Sequence, residues 1–295
     1  MRLKNIITLL TLMCLLLTNC TERPDEKGTE PPPAQIVRES DYMAVQQAFT
    51  RLEYHLAHLN DQGVPPVVVE KIPDNLADIS ETEQRKRIFF KIMLPLILMV
   101  NEEILDERKQ LAALQHHFKT RGELDPEQYQ QLKRLAARYR LEVDDNELTS
   151  LLHLLSRRID IIPVDLALAQ AANESGWGGS RFTREANNLF GQWTFVPGRG
   201  VVPENRPEGE TYEVKSFPTI YDSVRSYANN LNTHHAYREF RQMRATLRQK
   251  GKDPDGLTLA QGLLNYSTRG EEYVAEIQSM ILFNNLEELA QAQLR

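Results

Sequence analysis

The segment Ala167-Leu168-Ala169-Gln170-Ala171-Ala172-Asn173-Glu174-Ser175-Gly176-Trp177-Gly178 sets a helix under a carboxylate and then stops it. Positions 167, 170, 171 and 174 fall on one helix face and hold Ala, Gln, Ala and Glu. A face of small residues ending in a carboxylate leaves a groove beside the helix. Gly176 ends the helix, because glycine tolerates the left-handed conformation needed there. Glu174 then lies at the negative end of the helix dipole, which opposes its ionisation. Burial against Trp177 would push its pKa the same way. A carboxylic acid still protonated near neutrality is what glycosidic cleavage needs to protonate the departing oxygen. On spacing alone, a solvated helix-ending glutamate is the commoner case.

Outward from this segment the helical pattern continues from Ile161, with one interruption. Residues 192–217 are rich in Gly, Pro and β-formers (Trp193, Phe195, Val201, Val202, Tyr212, Val214, Phe217) and predict an irregular hairpin or a lobe of two to three strands. Helices return over 221–231, 236–247, 257–266 and 270–283. The expected fold is mainly α, a lysozyme-like helical domain with a small β-hairpin lobe, preceded by an all-helical N-terminal region.

Glu174-Ser175-Gly176-Trp177-Gly178, followed by Ala186-Asn187-Asn188-Leu189-Phe190-Gly191, closely resembles the peptidoglycan β-N-acetylglucosaminidases of the flagellar and autolysin type. The likeness continues through Phe217-Pro218-Thr219-Ile220-Tyr221-Asp222-Ser223 and ends with Gly262-Leu263-Leu264-Asn265-Tyr266-Ser267-Thr268 and Tyr273. It covers about residues 155–285. Within that family the chain looks most like the bacterial Bax group, through Arg87-Ile88-Phe89-Phe90-Lys91-Ile92-Met93-Leu94-Pro95-Leu96, Val100-Asn101-Glu102-Glu103 and Tyr266-Ser267-Thr268-Arg269-Gly270-Glu271.

The resemblance implies an endo-β-N-acetylglucosaminidase, a peptidoglycan hydrolase with Glu174 as its acid. Asn188, Phe190 and Gly191 would close the floor of the groove, and Tyr266 would stand near the scissile sugar with Tyr273 beyond it. The family's second carboxylate sits on the β-lobe. Glu204 is the candidate here, with Glu208, Glu210 and Glu213 competing. Arg269 stands where the family has Asp. Trp177, Trp193, Phe195, Tyr212 and Tyr227 suit a saccharide groove, because sugar C–H faces stack on aromatic rings; Phe190, Phe217 and Phe240 read as core. Two rivals remain open. A lytic transglycosylase shares the acid helix but usually shows G-L-M-Q where this chain has Asn188-Leu189-Phe190-Gly191. A non-catalytic lipoprotein could bind peptidoglycan or a partner through a glucosaminidase-like fold.

The N-terminal half carries no spacing of chemical interest. Tyr42, Val45, Phe49, Leu52, Leu56 and Leu59 predict one helix stopping at Gly63. Val67-Val68-Val69 is extended, and Pro73-Asp74-Asn75 a turn. Ser80 and Glu83 suggest a capping box for a helix that Pro95 should end or kink. Asp125-Pro126 and Asp144-Asp145-Asn146 open two further helices.

The whole chain has 295 residues, 35 Lys+Arg against 41 Asp+Glu and a net charge of −6. That balance excludes a nucleic-acid binder held by phosphate contacts. Arg2 and Lys4 precede a short apolar run ending in Leu17-Thr18-Asn19-Cys20, which reads as a secretory signal with a lipobox and makes Cys20 a lipidation site. Residues 21–36, with Pro31-Pro32-Pro33, form a solvated tether. The expected organisation is therefore leader 1–20, tether 21–36, helical region 37–158 and glucosaminidase-like domain 159–295. Its expected place is the cell envelope, lipid-anchored and facing the periplasm, on the outer membrane in preference to the inner. Glycan strands of peptidoglycan are the expected partner. The only other cysteine, Cys14, lies in the leader, and neither His116-His117 nor His234-His235 has ligand spacing, so no metal or cofactor is expected.

Overall fold

The computed structural model describes residues 34–295 other than Asn205, and the expectations for the leader, the lipid anchor on Cys20 and most of the tether lie outside the described residues. Strand β1 (Gln35–Val37) leads to α1 (Tyr42–Arg51), whose N-cap Asp41 accepts from the amides of Met43 and Ala44. The helix expected to reach Leu59 breaks here. Glu53 takes a φ of 51°, and the chain turns to pack Tyr54 edge-on against Phe49. A continuous helix would have pointed Tyr54 away from the Val45–Phe49 stripe, whereas the turn buries it fully. A 3₁₀ turn and the short α2 (Leu59–Gln62) follow, and β2 (Val67–Val69) pairs in parallel with β1.

Helix α3 (Thr82–Arg121) is 40 residues long. Its cap is Glu81, one residue past the expected Ser80, accepting from the amides of Glu83 and Gln84. Pro95 does not end it: the helix continues to Arg121. Proline within a helix costs about 3 kcal/mol. Every residue from Ile92 to Val100 is buried, and each large apolar side chain there contributes about 1.5–3 kcal/mol, which outweighs that cost. Helix α4 (Pro126–Arg138) starts on the expected Asp125, with a capping box to Gln128, and α5 (Leu148–Arg158) follows a 3₁₀ turn at Asp145–Glu147.

Helix α6 (Val164–Ser175) packs along α3. Its entry is fixed by Asn101, whose side-chain amide donates to the Ile162 carbonyl and accepts from the Ile162 amide. Then come α7 (Arg181–Ala186) and the lobe: β3 (Trp193–Thr194), β4 (Gly200–Val201) and β5 (Glu213–Lys215), with β5 central and both pairings antiparallel. Helices α8 (Ile220–Thr233), α9 (Arg238–Gln249), α10 (Gly256–Ala260) and α11 (Glu271–Phe283) complete the domain. The fold is mainly α with only small sheets, as expected, but the N-terminal region is not all-helical: the extended run Val67–Val69 pairs with Gln35–Val37 and buries its three valines there. Residues 34–295 pack as one compact unit. Glu103 of α3, for example, is buried against the Tyr221 hydroxyl and Arg225 of α8 and Arg138 of α4.

Asp165, in the first turn of α6, is buried under α10 and accepts from the Gly256 amide, where a Cβ would lie 2.6 Å from its carboxyl. Burial pushes its pKa up from 3.8 to about 6. The folded chain thus holds this proton where the unfolded chain has released it. Stability should fall as pH rises from about 4 to 6, by up to roughly 3 kcal/mol. Urea unfolding across that window should show a clearly steeper loss in the wild type than in Asp165→Asn; equal slopes would refute the assignment.

Candidate active site

The end of α6 is built to turn sharply. Gly176 takes a φ of 57° and Trp177 one of 59°. The Ser175 hydroxyl donates to the Ala171 carbonyl and accepts from the Gly178 amide, closing the turn. At Gly178 a Cβ would come within 2.9 Å of Ile72, so only glycine fits. Trp177 faces α3: its ring meets Phe89 and Phe90 edge-on, and the Lys86 ammonium sits over it. The N-terminal helices are therefore the bed on which the Glu174 turn rests.

Glu174 is half-buried on the last turn. Across the site its carboxyl meets Tyr273, whose hydroxyl donates to Oε1 at 2.8 Å, while the neighbouring Asn173 amide donates to the same oxygen at 3.4 Å; Trp177 is turned elsewhere. Tyr273 in turn accepts from Nε2 of Gln170 at 2.9 Å, and Oε1 of Gln170 accepts from the Tyr227 hydroxyl at 2.6 Å. Phe190 stacks on Tyr227 with centroids 3.9 Å apart, and its carbonyl accepts from the Tyr266 hydroxyl. The Tyr266 ring stacks on Tyr273 at 5.3 Å. The circuit closes, joining α6, α8 and α11 around the carboxyl.

This circuit corrects one reading of the helix face. Ala167, Gln170 and Ala171 do not line an open groove but are fully buried. The small side chains admit the tyrosines, and the buried Gln170 amide has partners on both its oxygen and its nitrogen, as burial requires. Tyr237, which the sequence did not single out, stands 5.8 Å from Tyr266.

Burial raises the Glu174 pKa above the ordinary glutamate value of 4.5; the Tyr273 and Asn173 hydrogen bonds and the nearby Arg269 charge pull the other way. Arg269 itself is exposed and pairs with Glu276. Removing the Tyr273 hydroxyl takes away a donor that favours the carboxylate. Tyr273→Phe should therefore move the alkaline limb of any Glu174-dependent rate profile to higher pH, and a downward shift would contradict this arrangement.

The residues on the β-lobe side divide. The Asn188 amide donates to the carbonyls of Gln192 and Lys215 and accepts from the Gln192 amide, so it ties the lobe to the floor. Leu189 donates its amide to the Ser223 hydroxyl of α8, and Gly191 turns with a φ of 63° and nothing over its Cα. Trp193 is 52% exposed, with Tyr212 edge-on beside it, and Phe195 is 73% exposed. Phe190, Phe217, Phe240 and Tyr227 are buried. Among the lobe carboxylates, Glu204 is exposed and pairs with Arg181, and Glu208 and Glu210 are exposed. Glu213 is buried, and its two oxygens accept from the amides of Gly198 and Gly200. The amides on either side of Arg199 make that clasp, which the sequence reading did not anticipate. Among the described residues no three His, Cys, Asp or Glu side chains group as metal ligands.

The half-buried Glu174 carboxyl and its tyrosine wall lie within the part of the chain that matches a family of known proteins. Residues 150–286 match the glucosaminidase family, described as mannosyl-glycoprotein endo-beta-N-acetylglucosaminidase, and the chain carries a domain of that family. It is also 35% identical over 189 residues to protein bax of Escherichia coli (strain K12), a stretch covering 64% of this chain and 66% of that protein. That stretch is longer than the family domain and so extends into the helices before it. No solved structure matches.

Proposed function

We propose that this chain is a cell-envelope glycoside hydrolase that cleaves the β-1,4 linkage after N-acetylglucosamine in peptidoglycan, with Glu174 as general acid. The observation that carries the reading is the Glu174 carboxyl itself, half-buried, raised in pKa by that burial and held by the Tyr273 hydroxyl. In the reaction Glu174 gives its proton to the glycosidic oxygen as the bond to the anomeric carbon breaks. Positive charge grows on the sugar ring until water adds to the anomeric carbon and gives up the proton that restores Glu174. Tyr266, on the wall beside the acid, acts as donor or stabiliser to that sugar. Glu204, exposed on the lobe and freed when its pairing with Arg181 opens, or the substrate's own acetamido group supports the charge. Trp193 offers an exposed ring for a sugar face, Trp177 completes the acid turn, and Asn188, Phe190 and Gly191 shape the floor. A lipid on Cys20 and the tether behind it would hold the domain at the periplasmic side of the outer membrane, within reach of glycan strands.

The test is digestion of purified sacculi, followed by borohydride reduction and mass spectrometry of the fragments. Hydrolysis leaves reducible N-acetylglucosamine ends. Fragments with 1,6-anhydro ends would make the chain a lytic transglycosylase, and no release above that of Glu174→Gln would leave only a binding protein.

A further inference from the structure

Beside the tyrosine wall, a groove of about 790 Å³ runs along α9. That volume is in the range of ligand sites. Half-buried Met243 and Leu247 lie along it, His235, Arg238 and Lys250 stand on its rim, and Asn265 lines another part. Asn265 precedes Tyr266, and His235 lies two residues before Tyr237, the two tyrosines being 5.8 Å apart. The groove thus shares its builders with the wall that holds Glu174.

Charge singles this groove out. The chain as a whole is at −6, yet residues 238–252 hold four arginines and two lysines against one carboxylate, Glu239. Arg241, Arg244 and Arg248 turn onto carbonyls and carboxylates of the fold. Arg238 and Lys250 do not: both are exposed, and among the described residues neither side chain forms an ion pair. Glu239 only partly offsets them. Cations bordering a concavity with apolar side chains in it differ from the raised basic face that a lipid surface or an anionic polymer would need.

We infer that this groove binds a short acidic peptide. Its carboxylates would meet Arg238 and Lys250, its amides Asn265, and its small apolar side chains the Met243–Leu247 surface. The inference rests on the proposed function for the source of the peptide. Peptidoglycan stems are short, carry free carboxylates and alanyl methyl groups, and branch from the strand being cut.

Full-length protein carrying Glu174→Gln serves for the test, with N-acetyl-L-Ala-γ-D-Glu-meso-diaminopimelyl-D-Ala as probe and its carboxyl-amidated form as control. Calorimetry should show saturable binding that weakens with salt and falls about tenfold or more in the amidated probe and in Arg238→Glu/Lys250→Glu. Circular dichroism and urea unfolding should find the double variant folded, since neither side chain has a partner to lose. Equal binding by the control or the double variant overturns the inference, as does no binding at millimolar probe. Binding of phosphatidylglycerol vesicles, lost in the double variant, with no peptide binding, overturns it in favour of a membrane contact. The probe has no sugar and the protein no acid, so the two readings fail separately. A chain that binds the peptide but cleaves no glycan refutes the hydrolase alone, and one that cleaves glycan but ignores the peptide refutes the groove alone.

Discussion

Glu174→Gln should lower kcat on a peptidoglycan strand about 10²–10⁴-fold, the contribution of a positioned general acid. The substitution keeps the shape of the side chain and an Oε1 that can still accept from Tyr273, so the circuit through Gln170 and Tyr227 stays in place. What goes is the proton. KM should change little, because binding of the glycan does not depend on that proton. The wild type should lose activity on the alkaline side as Glu174 ionises, at a pH above the 4.5 of an ordinary glutamate because burial raises its pKa. Residual activity of the variant should lack that limb. A variant keeping more than about a tenth of wild-type kcat would remove Glu174 from the chemistry.

The second large effect concerns stability. Asp160 and Arg244 are both buried, Arg244 with no exposed surface. Arg244 donates to the carbonyls of Asp160, Ile161 and Arg157 and to Oδ1 of Asn232, while the Asp160 carboxylate meets Arg248 at 3.2 Å, Arg108 at 3.6 Å and Arg244 at 3.9 Å. This cluster fastens α9 to the entry of α6, and so sets the distance between the groove and the tyrosine wall. Asp160→Asn leaves three guanidinium groups around a neutral amide, one of them wholly buried. Breaking a buried pair from one side costs about 3–5 kcal/mol, which urea unfolding at neutral pH would register as a large fall in midpoint. Arg248→Met, at a partly exposed partner, should cost about 1 kcal/mol or less by comparison. Equal losses from the two would mean that the cluster's charge is not what holds these elements together.

What could be read from the sequence followed the range of the interactions. Local signals carried through: Asp125 before Pro126 caps α4, Gly176 stops α6, and the Gly- and Pro-rich run over 192–217 became a three-stranded lobe. Signals of local cost failed where distant burial opposed them. Pro95 should end or kink a helix; ending it is the outcome that failed, because a buried apolar surround carries α3 on to Arg121. The 42–59 stripe fits one helix, but burying Tyr54 is worth a left-handed Glu53. The site behaved in the same way. Glu174, Tyr266 and Tyr273 were named from motifs, yet the Tyr273 bonds to Gln170 and Glu174 span 103 and 99 positions, and no spacing rule could join them. Gln170 read as part of a groove lining because its two tyrosine partners lie on later helices. Glu213 differed from its neighbours only through the amides of a turn it folds back upon.

Acid catalysis by Glu174 needs a carboxyl that holds its proton longer than a free glutamate does, and carbon-13 NMR of glutamate-labelled protein measures that directly. The side-chain resonance absent from Glu174→Gln should titrate with a midpoint above 4.5, and Tyr273→Phe should move it higher. A midpoint at or below 4.5 would describe an ordinary ionised carboxylate, and would contradict the assignment of Glu174 as the acid.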